Sequence, residues 1–315
     1  MSEFGADLAL ERALGTATAA WLLGILTLAG LVVFDRYLRG RSRIAGRTEQ
    51  AARVAWVVAV AGVIIVLPLT ALRVAGAPLV ALANPAVWLP AVQLPSLMTA
   101  LAVILPGGSV VALAGRRATA VGDRVVLVCV GLMLIAPVLT GHTRTRQPTW
   151  LIVGADLVHL LVAAVWLGGV LGLLLLLTSE NEGSSDPRLA LAVVRRFSRV
   201  AAVSVVALAV SGAVMAALIL PAPATLLTDP YGRTLLLKLG LVGAVIVIAA
   251  GNRRWLLPRI HAAPDPNAQW QQLRRTVAYE AALLAVVIAV TGTLSLNAPD
   301  HTHQTGTVSA SADPP

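Results

Sequence analysis

The chain has 315 residues, of which 57% are hydrophobic and only 12% charged, and its mean hydropathy is +0.83; a soluble globular domain of ordinary composition does not approach these values. Its formal net charge of +9 comes from basic residues scattered between apolar runs, which excludes a concentrated nucleic-acid-binding patch and reads as membrane topology. The single cysteine, Cys129, excludes an intramolecular disulfide and a Cys-x-x-Cys metal motif, and inside its apolar run it reads as a small buried hydrophobe before it reads as a copper thiolate.

Apolar windows long enough to cross roughly 30 Å of hydrocarbon occur eight times, at approximately 16–35, 54–74, 97–114, 124–142, 151–177, 200–220, 233–251 and 276–296. They predict an all-α polytopic bundle of about eight transmembrane helices. Ahead of the first window stand Glu3, Asp7 and Glu11 and not the basic segment of a signal peptide, so no cleavage is expected. The second connection is rich in proline and carries Trp88, which is expected at the headgroup level. Pro106, Gly107 and Gly108 interrupt the third window, where a kink or break is expected. The fifth connection, 180–187, reads as a flexible loop rich in Ser, Gly and Glu.

Lysines and arginines fix the expected orientation. The first, third, fifth and seventh connections hold 18 of the 24. Cytoplasmic loops carry that excess, so both termini are expected outside the cytoplasm. Loop chemistry divides the chain into a four-helix half over 1–146, a second four-helix half over 147–299 and a disordered outer tail over 300–315.

The chemistry concentrates between 141 and 169. Gly141-His142 closes the fourth window, and Asp156, His159, Trp166, Gly168 and Gly169 follow inside the fifth. Ionisable groups in a membrane span are costly and usually face a bundle interior, so they are site candidates by default. Asp156 and His159 are neighbours on one helix face, about 8 and 12 Å below the outer start of their helix by helical rise. His142, Met215 and Lys238 share the outer part of the bundle. Imidazole and thioether suit copper, Met selecting the reduced ion, and a carboxylate such as Asp156 can fix the tautomer of a ligating histidine. Lys238 pairing with Asp156 is an equal alternative. Trp166, Gly168 and Gly169 read as helix-packing residues, Glu280 as the partner of a loop arginine, and His301 and His303 as tail residues with at most weak metal capture.

These residues carry a resemblance. Gly141-His142, Asp156-Leu157-Val158-His159, Trp166-Leu167-Gly168-Gly169, Arg196-Phe197-Ser198-Arg199, Ser211-Gly212, Tyr231-Gly232-Arg233 with Lys238-Leu239, Asn252-Arg253-Arg254, and Leu273-Arg274-Arg275 with Glu280 resemble the copper resistance D (CopD/PcoD) family of bacterial inner-membrane proteins over 141–299. The first four helices resemble it only in hydropathy. The resemblance implies a protein of copper homeostasis that moves copper across the cytoplasmic membrane, often with a small periplasmic copper-binding partner, and makes His142 and His159 its metal positions. Only four methionines are present, which favours a single low-coordination Cu(I) site over high-capacity capture.

Two other functions fit the same residues. One is a b-type haem electron-transfer protein with two axial imidazoles; the different depths expected for His142 and His159 argue against it. The other is a non-transporting assembly factor for copper enzymes. A hydrolase lacks an evident nucleophile beside Asp156 and His159, and no P-loop is present to power transport with a nucleotide.

Overall fold

A computed structural model of the chain describes residues 2–38, 45–114, 119–140, 147–180, 187–220, 224–262 and 267–294. Eight helices among these are long and apolar enough to cross a membrane. The first, α1, spans Ser2–Val33 and continues through a π-helical turn at Phe34–Leu38. Then come α2 (Ala45–Val74), α3 (Leu94–Ala114), α4 (Ala120–Thr140), α5 (Thr149–Glu180) and α6 (Pro187–Ile219). Next, α7 (Pro230–Gly251) is prolonged through a second π-helical turn, Asn252–Leu256, into Leu257–Ala262, and α8 is Asn267–Leu294. The protein is a multi-pass helical membrane bundle.

At the centre stands α1, packed against α2, α5 and α8. Ile25, Leu28, Leu31 and Phe34 are fully buried, as befits a helix that is apolar all round. Small residues make these crossings close. A Cβ on Gly24 would lie 2.6 Å from the Ala55 carbonyl of α2, and one on Gly292 of α8 would lie 2.5 Å from the Gly15 carbonyl of α1. Such small-residue seams let helix backbones approach where lipid provides no hydrophobic drive between helices. Through α1 the two sequence halves share one core, because α5 and α8 pack on a helix of the first half.

The N-terminal helix starts well before the apolar window predicts. Its polar first turns are held by an ion pair between Glu11 and Arg73 Nε of α2, at 3.3 Å. Between α2 and α3 the proline-rich segment forms three short helical turns, Leu79–Ala83, Pro85–Trp88 and Leu89–Ala91. Trp88 packs on the Leu10, Leu14, Leu69 and Leu72 cluster, and its indole donates to the Leu82 carbonyl at 3.2 Å. The break expected as one outcome in the third span is absent. Helix α3 runs unbroken through Pro106, and Gly107 makes room for an indole: a Cβ there would lie 2.6 Å from Trp56 Cδ1. The 181–186 loop lies outside the described residues.

The two ends of the bundle differ. Where α1 ends, Arg36 in the π-helical turn pairs with Asp123 of α4, and Thr48 Oγ1 donates to Asp35 at 3.0 Å. Antiparallel succession brings the start of α6, the end of α7 and the start of α8 to this same level, with Arg195, Arg196, Arg199, Arg253 and Arg254 exposed there. The opposite end carries far fewer cations.

Candidate functional site

Near that opposite end, α5 and α6 run antiparallel in contact. Their succession sets His159, ten residues into α5, at the level of Ser211, eight residues before the end of α6. The pair meets: His159 Nδ1 lies 3.1 Å from Ser211 Oγ. Ser211 is itself buried and donates its one hydroxyl proton to the Ala207 carbonyl, 2.7 Å away on the preceding turn. With the hydroxyl proton so placed, the Ser211 oxygen can accept from Nδ1, and His159 also makes a hydrogen bond with the Leu208 backbone; a proton on Nδ1 would make Nε2 the acceptor nitrogen of the ring. Serine in a helix interior habitually bonds back to the i−4 carbonyl, and here the same hydroxyl oxygen also meets an imidazole.

Two charges complete the cluster. Lys238 of α7 is near enough to interact electrostatically with both His159 and Asp156. Asp156 and His159 lie on one face of α5 and are half-buried, as is Lys238. Met215 is half-buried one turn beyond Ser211, on the same face of α6. His142, His301 and His303 lie outside the described residues. Among the described residues, no three His, Cys, Asp or Glu side chains stand close enough together to hold a metal ion.

Gly168 and Gly169 face two different neighbours. A Cβ on Gly168 would enter the backbone of Gly30 in α1, and one on Gly169 would enter the Phe197 ring of α6. Trp166 is buried beside them, its indole N–H unpaired among the described residues. Together these hold α5 against α1 and α6 about two turns from His159. Cys129 is a half-buried free thiol packed against the core.

Sequence reasoning missed a polar network at the arginine-rich end. Glu280 of α8, expected to meet a loop arginine, is buried and accepts from Asn252 Nδ2 at 2.7 Å. Thr276 Oγ1 donates to Asn252 Oδ1 at 2.8 Å. The π-helical turn makes this geometry available, since an extra residue in the turn re-aims the side chain at its start. Glu280→Ala should lower stability in detergent by about 1–3 kcal/mol, because it leaves a buried amide unpaired, while Glu280→Gln, which keeps the acceptor, should cost less than half of that. Thermal melts of the purified variants measure both.

The bundle defines a polytopic membrane protein with polar side chains clustered inside its candidate membrane spans. Residues 191–294, which take in most of α6 and all of α7 and α8, match the family model for copper resistance protein D. Copper transport protein CutJ of Bacillus subtilis (strain 168) is 31% identical over 168 residues, which is 53% of this chain and 29% of that protein. Inner membrane protein YebZ of Escherichia coli (strain K12) is 36% identical over 113 residues, 36% of this chain and 38% of that protein. The chain thus matches well under half the length of these curated relatives. No solved structure matches. Ser211, Met215, Lys238, Asn252 and Glu280 fall inside the family-matched segment, and Asp156 and His159 lie before it.

Proposed function

We propose that this chain is a non-enzymatic copper-handling protein of a bacterial inner membrane, which takes Cu(I) as cargo at the His159 cluster and passes it through the bundle. The observation that carries the reading is the Ser211 contact. An imidazole whose Nδ1–H is engaged offers Nε2 as a ligand in fixed orientation, the arrangement metal sites use. The CopD match and the name of the CutJ relative supply the metal. Thioether and imidazole together select the reduced ion, with Met215 as the soft ligand and His142 as the candidate second imidazole. Two or three ligands suffice for a passing cargo.

On this reading the arginine-rich end is cytoplasmic, both termini are outside, and the cluster opens toward the side where a small copper-binding protein would deliver the ion. Asp156 offsets the charge of the arriving cation.

The test is copper retained per chain after Cu(I) loading and gel filtration in detergent, followed by copper entry into proteoliposomes. The wild type should retain about one copper and admit it; His159→Ala should lose at least tenfold in affinity and in entry. Retention without entry would favour the assembly-factor reading. An intense Soret absorption in the purified protein, lost in His159→Ala, would replace copper by haem. Unchanged retention and entry in the variant would overturn the site.

A further inference from the structure

A furrow of about 480 Å³ runs along α5 and α6. Val162 of α5 with Val200, Val203, Ser204 and Ala207 of α6 form its floor, and Arg196 and Arg199 stand at one end. It is open outward: Val203 is 71% exposed.

The charged end and the apolar floor are one stripe. Positions 196, 199, 200, 203 and 207 recur at the spacings that share a helix face. The rotation of α6 that presents this stripe is set by Phe197, which is buried and seated in the space that glycine leaves at 169 on α5. From Arg196 to Ala207 the stripe is about 16 Å long at 1.5 Å per residue, roughly half of a 30 Å hydrocarbon layer. It spans one leaflet, with its two exposed guanidinium groups at the arginine-rich end of the bundle. Arg253 adds a third cation nearby: its Nη1 donates to the Ser198 carbonyl at 3.1 Å, across the gap between α7 and α6.

A floor of valine and alanine with a single serine hydroxyl offers a metal ion no ligand set. A hydrocarbon chain fits it, and planar guanidinium groups match a phosphate diester. We infer that this furrow binds an anionic phospholipid, its acyl chain along α6 and its headgroup on Arg196 and Arg199. The inference does not depend on the copper reading. Basic pockets at the headgroup level beside membrane helices are the usual seats of such lipids. Ala207 links the two sites: its carbonyl accepts the Ser211 hydroxyl bond that orients His159, so a chain lying against Ala207 packs one turn from the cluster.

Native mass spectrometry of the full chain in detergent tests this, with phosphatidylglycerol and phosphatidylethanolamine of identical acyl chains as probes. Phosphatidylglycerol should bind at least tenfold more tightly. Arg196→Gln/Arg199→Gln should erase that preference, and Arg195→Gln, an exposed neighbour outside the furrow, should leave it intact. Ala207→Trp, which fills the furrow with both arginines in place, should also lose the lipid. Equal binding of the two lipids, retention in the double variant, equal loss in Arg195→Gln, or displacement by millimolar inorganic phosphate would overturn the inference. So would a dimer in lipid-free protein that Ala207→Trp dissociates, since a second copy would then occupy the furrow.

Discussion

Gly168→Ala should abolish recovery of monodisperse protein from membranes, while Gly154→Ala in the same helix should leave recovery unchanged. At Gly168 and Gly30, α5 and α1 meet backbone to backbone. A Cβ on Gly30 would lie 2.7 Å from Gly168 Cα and nearer still to the Ala164 carbonyl, and the reciprocal Cβ on Gly168 would lie 2.5 Å from the Leu31 amide. Overpacking a core costs about 1–3 kcal/mol when side chains can shift aside. Neither partner here is a side chain, so the helices must separate along the whole seam. The central helix would then lose contact with α5, which carries the candidate site, and the cost should exceed ~3 kcal/mol. Nothing lies within 4 Å of a Cβ built on Gly154. Fluorescence-detected gel filtration compares the two variants directly, and similar elution profiles would show that the crossing is looser than its geometry.

Hydropathy made the bundle legible, because a span must be long, apolar and internally hydrogen-bonded wherever it lies in the fold. Depth was legible too: helical rise and antiparallel order set His159 and Ser211 at one level. Rotation was not. A helix that is apolar on every side carries no periodic signal for which face meets which neighbour, so nothing in the α1 sequence marks it as the centre, and Ser211 entered only as part of a resemblance. Pro106-Gly107-Gly108 reads locally as a breaker; its reason lies 50 residues away in the Trp56 ring that fills the gap. Glu280 reads as an arginine's partner because arginines dominate its end of the sequence. Its partner Asn252 is instead aimed inward by a π-helical turn, which has no compositional mark.

Lys238→Leu should tighten Cu(I) binding at the proposed site by about tenfold or more, and Asp156→Asn should weaken it by a similar factor. Lys238 acts electrostatically on both His159 and Asp156. A cation arriving at His159 Nε2 therefore meets the field of a resident ammonium. Two unit charges roughly 8 Å apart at an effective dielectric of about 20 repel by about 2 kcal/mol, and each 1.4 kcal/mol is about a factor of ten in affinity. Leucine keeps most of the volume, brings no ligand atom and removes that charge. Asparagine keeps the shape of Asp156 and removes the charge that offsets the cargo. The opposite signs separate a functional pair from a structural one. A pair that only braces α5 against α7 would lower stability in both variants and shift copper affinity in the same direction. Titration against a competing Cu(I) chelator, with the melting temperature read on the same samples, gives both numbers. If Lys238 is instead the barrier that keeps copper from lingering, Lys238→Leu should bind more tightly and release into proteoliposomes more slowly, because a cargo site must be weak enough to leave as well as to enter.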